Sequence, residues 1–311
     1  MTVRHLLSLR DIGAEQLTAL VDNSLAIARE CATTKRSLAG KVVGIYFKKT
    51  STRTRTAFTV GAIHLGAGII TYGPYDLQIN TGESIPDTAR VLSGFLDILV
   101  IRTNEPIAET QAFASQDKMA IINAMSEDEH PTQAIADLVT IKEAFGHLND
   151  IHVLYLGEGN NSASALALAV SQTPGMRLTV IAPEGYGLKS VALKLAANLA
   201  KRNGAVIEQH HGMDHLPSNV DVVYTTRWQT MGEPKADADW HDRFLPYRVT
   251  SELMSYVSKP AGTIFLHDLP AIRGSEVVDE ILDGPQSHAF RQAQHKMSSA
   301  MAVLAWCVDA I

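Results

Sequence analysis

Apolar residues recur along the chain at two spacings, and each spacing predicts a different kind of element. Between Glu15 and Arg29 they fall every three or four positions, which predicts an amphipathic helix. Short continuous apolar runs follow, and such runs are typical of buried parallel strands. In the first half of the chain the predicted strands are Val42–Phe47, Ile69–Tyr72, Ile98–Ile101 and Ala120–Ile122, and the predicted helices are Ala57–Leu65, Thr88–Phe95 and Gln133–Phe145. This alternation predicts a parallel α/β layer.

A polar, glycine-containing break at Gly146–Asp150 interrupts the alternation, which then restarts. The second set consists of predicted strands Ile151–Leu156, Leu178–Ile181, Val220–Thr225 and Thr263–His267, and predicted helices Ser162–Ser171, Leu188–Asn203 and Gln292–Val308. The pattern therefore predicts an α/β fold of two doubly wound parallel-sheet domains joined by helices. We place the first domain at residues 1–145 and the second at residues 146–285, with a C-terminal helix in 286–311 packing back on the first.

Length and composition narrow the functional classes. A chain of 311 residues is long enough for two domains, and 46% hydrophobic with 19% charged residues is typical of a folded protein. The net charge of -6 excludes the broad basic field that non-specific nucleic-acid binding needs, so any anion site must be local. Two cysteines, Cys31 and Cys307, make no disulfide framework and are expected as buried thiols. With neither a signal-peptide pattern nor an apolar run of roughly 20 residues, we expect a cytoplasmic protein that binds no membrane.

The segment Thr50–Arg55 reads Thr-Ser-Thr-Arg-Thr-Arg and joins a predicted strand to a predicted helix. Free backbone N–H groups at a helix N-terminus favour a phosphate, and arginine adds bidentate charge-assisted hydrogen bonds. The segment therefore predicts a phosphate site. The alternative is a helix N-cap beside a solvated basic turn.

Two further positions could act with this segment. His130 and Gln133 flank the start of a predicted helix, where a neutral imidazole and an amide could polarise a carbonyl oxygen. The alternative is a surface cap with a histidine present by chance. Arg102 follows a predicted strand, at the position where open parallel sheets bind ligands, although a single arginine there is more often a surface residue.

Together these segments closely resemble the aspartate and ornithine carbamoyltransferase family over nearly the whole chain. In the first half, Phe47–Arg55 is similar to the family's Ser-Thr-Arg-Thr-Arg loop, His130–Gln133 to its His-Pro-Thr-Gln signature, and Gln78 with Glu83–Ile85 and Asp87–Arg90 to its intersubunit loop and following helix. In the second half, Asn160–Asn161, Trp228–Gly232 and His267–Pro270 fall where the ornithine branch has Asn-Asn, Trp-x-Ser-Met-Gly and His-Cys-Leu-Pro.

The resemblance implies an enzyme in which a neutral amine attacks the carbamoyl carbon of carbamoyl phosphate and phosphate departs. The implied carbamoyl-phosphate ligands are Ser51, Thr52, Arg53, Thr54, Gln78, Arg102, His130, Gln133, Leu269 and Lys296, and the implied catalytic residues are Arg53, Arg102, His130 and Asp268. The implied acceptor ligands are Asn161, Thr226, Arg227, Thr230, Met231 and Asp268. The resemblance further implies no cofactor, an active site in the cleft between domains, and a homotrimer in which Gln78 reaches a neighbouring subunit's site.

The acceptor residues depart from the ornithine branch. Thr226 and Arg227 stand where that branch has aspartate and valine, Thr230 replaces its serine, and Asp268 replaces its cysteine. We therefore expect a small amine other than ornithine, such as 2,3-diaminopropionate, with ornithine as the alternative acceptor. Asp268 could pair with a protonated amine or remove its proton, or it could simply be hydrogen-bonded to its loop.

Two other departures bear on the ligands. Lys296 aligns with a late family arginine and keeps its charge but not its bidentate fork. An aspartate acceptor is disfavoured, because Arg273 falls two positions later than the arginine of that branch's His-Pro-Leu-Pro-Arg segment.

Other classes of protein compete with this interpretation. Gly157-Glu158-Gly159 follows a predicted strand as a fragment of a dinucleotide-binding turn, but Ser162 occupies its third glycine position. A non-catalytic paralogue that acts as a binding or assembly protein is motivated by the changed acceptor residues. No metal site is expected, since His210, His211 and His215 are typical of a polar loop.

Overall fold

Two parallel β-sheets organise the computed structural model, which describes residues 3–29, 36–229 and 235–309. The chain divides into two compact units, the first made of residues 3–139 with 294–309 and the second of residues 140–293. The division follows Val139, within a continuous helix, rather than lying in the polar break at Gly146–Asp150. The chain returns to the first unit at Gln294, not at residue 286. Cys31 lies outside the described residues.

The first unit has a parallel sheet with helices between its strands. Its strands are β1 (Val42–Phe47), β2 (Gly68–Tyr72), β3 (Ile98–Arg102) and β4 (Ala120–Met125), and its helices are α1 (Ala14–Arg29), α2 (Arg53–His64), α3 (Ile85–Leu92) and α4 (Ile107–Phe113). The strand order is β2-β1-β3-β4. The chain therefore winds outward from β1 in one direction and then in the other, which places the topological switch point between β1 and β3.

The second unit repeats this plan with a longer sheet. Its strands are β5 (His152–Leu156), β6 (Arg177–Ile181), β7 (Val206–His210), β8 (Val222–Thr225) and β9 (Ile264–His267), and its helices are α6 (Asn161–Ser171), α7 (Ser190–Asn203), α8 (Trp240–Phe244), α9 (Ser251–Val257) and α10 (Asp279–Leu282). The strand order is β7-β6-β5-β8-β9, so the switch point lies between β5 and β8. Helices α5 (Pro131–Phe145) and α11 (Ala289–Cys307) each have residues in both units.

The end of α11 belongs to the core of the first unit. A Cβ atom at Gly61 of α2 would lie 2.9 Å from Cγ of Met301, so glycine at this position permits the close approach of the two helices. The guanidinium of Arg4 lies 5.6 Å from the ring centre of Trp306. The buried Cys307 thiol lies in the same helix. Helix α2, which begins within the segment Thr50–Arg55, is therefore packed against α11.

The predicted fold class of two parallel α/β domains is confirmed. The predicted strands begin and end close to the observed positions, because strands buried on both faces are continuous apolar runs. Strand β2 is the exception in burial, since this edge strand is largely exposed. Helix α2 begins at Arg53 rather than Ala57, so the end of the polar segment Thr50–Arg55 forms the first helical turn. Strand β7 was missed because it is a half-exposed edge strand with polar residues. Along the described ranges, no helix has the length and apolar character needed to cross a membrane.

Candidate active site

The segment after β1 forms the start of α2, as the phosphate interpretation requires. Ser51 and Thr52 occupy the turn, and Arg53 and Thr54 lie in the first turn of the helix. Thr52 is the N-cap residue, yet its side chain makes no capping hydrogen bond within the described structure. The N-cap interpretation therefore does not explain this segment, whereas the first amide groups of the helix and its positive dipole end suit an anion.

Arg102 is joined to this segment through the backbone. It is the last residue of β3, pairs with Phe47 of β1, and its carbonyl oxygen accepts a hydrogen bond from the Lys48 amide at 3.0 Å. Its side chain is buried, so the interpretation as a surface arginine is wrong. The phosphate segment and Arg102 thus lie at the carboxyl ends of β1 and β3, the switch point at which open parallel sheets bind ligands.

His130 lies against Arg102, with its Nε2 atom 3.4 Å from Nη1 of the guanidinium. A guanidinium only donates hydrogen bonds, so Nε2 is the acceptor and the ring proton belongs on Nδ1, 3.4 Å from the Thr132 hydroxyl. Burial lowers the pKa of His130 well below its ordinary 6.5, and the charges of Lys296 and Arg102 lower it further. The side chain is therefore a buried neutral imidazole, not the surface cap of the alternative interpretation.

The side-chain amide of Gln133 is held at both ends. Its Nε2 atom donates a hydrogen bond to Oδ1 of Asp137 at 2.7 Å, and its Oε1 atom accepts one from the Lys296 ammonium. All three residues are buried. Lys296 therefore reaches a predicted ligand of carbamoyl phosphate.

Glu129, next to His130, connects this cluster to the start of the chain. Its buried carboxylate accepts hydrogen bonds from the Ser8 hydroxyl and, at 2.8 Å, from the Leu9 amide. Burial raises the pKa of Glu129 to about 7 against these hydrogen bonds, with smaller effects of opposite sign from Asp11 and Arg10. The turn before the histidine is thus fixed by a carboxyl group that titrates near neutral pH.

Gln78 lies in an exposed 3-10 helix, Gln78–Thr81. Its Oε1 atom accepts a hydrogen bond from the Thr81 hydroxyl at 2.7 Å. The side chain is therefore engaged within its own turn in the single chain.

In the second unit Asn160 and two predicted acceptor ligands, Thr226 and Asp268, are connected in series by hydrogen bonds. Nδ2 of Asn160 donates to the Thr226 hydroxyl at 3.2 Å, and that hydroxyl donates to Oδ1 of Asp268 at 3.0 Å. Asn160 also caps α6, because its Oδ1 atom accepts hydrogen bonds from the amides of Ser162 and Ala163. The series follows β5, β8 and β9, and so includes the switch point of this sheet.

The turn at Asp268 is fixed by a fully buried histidine. Nδ1 of His267 accepts a hydrogen bond from the Leu269 amide at 2.8 Å, so the proton belongs on Nε2, which lies 3.2 Å from Oε1 of Glu276. The Nδ1 atom of His267 also lies 3.6 Å from Oδ1 of Asp268. The Asp268 carboxylate accepts its hydrogen bond from Thr226, on the segment that follows the neighbouring strand β8.

The remaining acceptor residues are only partly described. Asn161 is the first residue of α6 and is half-buried, as is Arg227. Thr230 and Met231 lie outside the described residues. Trp228 is buried against Phe244 and His241, with ring centres 5.4 and 5.7 Å away.

The glycine turn after β5 is filled by the chain itself. A Cβ atom at Gly159 would lie 2.2 Å from backbone atoms of Gly187 and Leu188, and one at Gly157 would lie 3.1 Å from the Trp228 ring. Both glycines are therefore explained by internal packing, and the dinucleotide interpretation loses its support. A pocket of about 400 Å³ in this unit is lined by Glu184–Tyr186, Lys235–Asp237 and Arg243, none of them a predicted site residue. Across the ranges that the structure describes, no group of three His, Cys, Asp or Glu side chains could hold a metal.

Comparison with known proteins places this geometry in a family. Residues 4–143 match the model of the aspartate/ornithine carbamoyltransferase carbamoyl-P binding domain, and residues 149–307 match that of the Asp/Orn binding domain. The chain belongs to the aspartate/ornithine carbamoyltransferase family. It is therefore a carbamoyltransferase, and the non-catalytic paralogue is no longer needed to explain it.

Individual carbamoyltransferases are similar along the whole chain. Ornithine carbamoyltransferase of Caldicellulosiruptor saccharolyticus is 38% identical over 307 residues, with 97% of each chain covered. That of Methanobrevibacter smithii is 38% identical over 300 residues, with 96% of this chain and 98% of the relative covered. The structure of ornithine carbamoyltransferase from Pyrococcus furiosus superimposes with a TM-score of 0.92 at 34% identity, covering 100% of this chain and 98% of the other.

Several polar residues of this carbamoyltransferase were not predicted from its sequence. Asp137 lies four positions after Gln133 on α5, a spacing that places the two on one helix face and could have identified it. Glu129 contacts Leu9, 120 positions away, which spacing does not reveal, and Glu276 contacts His267 across an irregular loop of nine positions.

Proposed function

We propose that this carbamoyltransferase moves the carbamoyl group of carbamoyl phosphate onto the amino group of a small diamino acid, with ornithine as the first candidate. The observation that carries the acceptor assignment is the 3.0 Å hydrogen bond from Thr226 to Asp268. The names of the similar proteins support ornithine, and they support it better than they support the shorter diamino acid expected from the sequence.

The donor half would bind the phosphate at the start of α2. Ser51, Thr52, Arg53 and Thr54 supply hydroxyls, charge and helix N–H groups, and Arg102 adds a guanidinium from the adjacent strand. His130 and Gln133 would meet the carbamoyl end.

In the reaction the lone pair of the amine forms a C–N bond to the carbamoyl carbon, and the C–O bond to phosphate breaks. The amine loses one proton, and phosphate leaves with the bonding electron pair. Negative charge builds on the carbonyl oxygen, and Arg53 and Arg102 are charged groups suited to stabilising it. A neutral His130 adds no further charge to a site already rich in cations, and its Nδ1 atom lies 3.4 Å from the Thr132 hydroxyl.

The acceptor half would use Asp268 in place of the family's aspartate at position 226. Because the Thr226 hydroxyl donates to Asp268, the carboxylate lies one hydrogen bond from its usual place. It can therefore bind the α-ammonium group of a diamino acid, while Asn161, Arg227, Thr230 and Met231 contribute further contacts. A shorter diamino acid such as 2,3-diaminopropionate is the second candidate, favoured by this displaced carboxylate.

We further propose a homotrimer with Gln78 reaching into a neighbour's site. Several large apolar side chains of the first unit are exposed: Ile63 of α2, Ile70 of β2, Tyr75, Val91 of α3 and Phe95. Strand β2 is the sheet edge, so apolar residues there suit burial against another copy.

The acceptor test measures phosphate release and ureido product with carbamoyl phosphate and a panel of amines. The panel contains ornithine, 2,4-diaminobutyrate, 2,3-diaminopropionate, lysine, putrescine and aspartate. The proposal expects the highest kcat/KM with ornithine. Turnover of 2,3-diaminopropionate alone would replace ornithine by the second candidate, and no release with any amine would refute the acceptor class.

The trimer test mixes two inactive variants, Arg53→Ala and Gln78→Ala, after dissociation and reassembly. If each site takes Arg53 from one chain and Gln78 from the next, some hybrid sites contain both wild-type residues and activity returns. Sites built from single chains would give no recovery. Light scattering of the wild type checks the subunit number.

A further inference from the structure

The orientation of the Gln133 amide is imposed by two opposite charges. Asp137, a carboxylate with no solvent exposure, accepts a hydrogen bond from Nε2, and the Lys296 ammonium donates one to Oε1. Exchanging the amide atoms would direct the carbonyl oxygen at the carboxylate and the amino group at the ammonium. Both contacts would then be repulsive and buried, so the amide cannot turn over.

Asp137 owes this role to its place on α5. It lies four residues after Gln133, one helical turn away, so the two side chains meet on the same face of the helix. Lys296 comes from α11, 163 positions along the chain. The contact between Asp137 and Gln133 therefore forms within one helix, and Lys296 adds the second contact from α11.

A fixed amide presents oxygen, not nitrogen, beside the lysine. A carbonyl oxygen can accept two hydrogen bonds, so Oε1 can accept one from Lys296 and one from a ligand. A carbamoyl group brings N–H donors to such an oxygen, whereas an acetyl group of nearly the same shape brings only a methyl group. A buried Oε1 atom that finds no N–H donor on its ligand is left without a hydrogen bond, and this disfavours binding of the acetyl compound.

We infer that Asp137 is a positioning residue that makes Gln133 select a donor with an N–H group on the transferred carbon, and so distinguishes carbamoyl phosphate from acetyl phosphate. The inference rests on the proposed function, in which Gln133 faces the carbamoyl end. Asp137 itself touches Gln133 and acts on the ligand only through it.

The test measures the dissociation constants of carbamoyl phosphate and acetyl phosphate by calorimetry, without an acceptor. Wild-type protein is expected to prefer carbamoyl phosphate, and Asp137→Asn to narrow the ratio of the two constants by about tenfold, because loss of the carboxylate leaves only the Lys296 ammonium to oppose turning of the Gln133 amide. Asp137→Glu, which keeps the carboxylate, should restore part of the ratio. Asp117→Asn, an exposed residue of the same unit, should leave it unchanged.

The ratio of the two dissociation constants distinguishes a loss of Gln133 positioning from general damage to the fold, because a loosened fold would weaken the binding of both phosphates alike. Gln133→Met keeps side-chain length without the acceptor and provides a second variant if Asp137→Asn does not fold; it should also narrow the ratio. A wild-type preference that survives in either variant overturns the inference alone. Equal wild-type affinity for both phosphates overturns the inference together with the proposed donor.

Discussion

The Thr226 hydroxyl donates a hydrogen bond to a carboxylate oxygen of Asp268 at 3.0 Å. These residues directly follow the neighbouring strands β8 and β9. We propose that the Asp268 carboxylate serves the acceptor in place of an aspartate at position 226, one hydrogen bond away.

Replacing Asp268 by asparagine should weaken acceptor binding specifically. Loss of a charged hydrogen bond to an ammonium group is expected to raise the acceptor KM about 10- to 100-fold, with the KM for carbamoyl phosphate little changed. Steady-state kinetics with each substrate varied in turn measures both values. An unchanged acceptor KM would remove Asp268 from the site, and Asp214→Asn, which changes an exposed aspartate of the same unit, is the matched control.

A carboxylate placed at position 226 instead of 268 tests whether both positions serve the same ammonium group. The double variant Thr226→Asp with Asp268→Asn should recover acceptor affinity lost in the single variant, because the charge lies again beside the same ligand group. A double variant as weak as Asp268→Asn would show that the two positions do not serve one ammonium group.

Arg53→Ala should abolish turnover and leave the fold intact. Loss of one preorganised cationic donor costs about 3 kcal/mol of barrier, which lowers kcat/KM by about 100-fold or more. Lys118, an exposed cationic residue of the same unit outside the predicted site, provides the control, and Lys118→Ala should change activity only about twofold. Near-normal turnover of Arg53→Ala, with an unchanged circular dichroism spectrum, would contradict the phosphate assignment.

Glu129→Gln should alter how stability depends on pH. Burial raises the pKa of Glu129 from 4.5 to about 7, so the folded state holds a proton that the unfolded chain has released in this interval. The contribution to folding is therefore complete below pH 4.5 and is lost as pH rises toward 7, by about 3 kcal/mol in order of magnitude. Glutamine has no proton to lose, so the variant should gain stability relative to wild type as pH rises through this window.

The measurement is the difference in unfolding free energy between Glu129→Gln and wild type from pH 4 to pH 8. This difference isolates Glu129 from His130, whose lowered pKa works in the opposite sense and reduces stability as pH falls below 6.5. Glu15→Gln, at an exposed position of α1, should give a flat difference. A flat difference for Glu129→Gln would mean that its carboxyl group titrates normally.

Lys296→Met should raise the pKa of His130. The lysine charge disfavours the imidazolium, so its removal leaves burial and Arg102 to lower the pKa, which therefore rises but stays below 6.5. NMR titration of the ring, assigned with His130→Asn, measures the change, and Lys118→Met is the exposed control. An unaltered titration would place the Lys296 charge away from the ring.

The sequence was most informative where structure is local. Val42–Phe47 was recognised as a strand because an apolar run buried on both faces needs no distant partner to identify it. Edge strand β7 contains Glu208 and Gln209 and so lacks that signal. The apolar pattern predicts a later start for helix α2 than is observed, because the polar residues Arg53 and Thr54 form its first turn.

The site depended on contacts that spacing does not encode. Gln133 and Lys296 are 163 positions apart, and nothing in either segment names the other as partner. Sequence comparison with the family identified Lys296, but the burial that makes His130 neutral comes from the folded arrangement. Residue types therefore predicted the chemistry, and the tertiary fold determined protonation and orientation.

The division of the chain has a consequence for its biosynthesis. The second unit is one continuous stretch, 140–293, whereas the first unit lacks α11 until residues 294–309 have been added. Until then α2 has no Met301 against Gly61. Domains generally fold in the order in which they leave the ribosome. Here we expect the reverse, with the second unit reaching its native state first and the start of α2 reaching its native packing only once α11 has been synthesised.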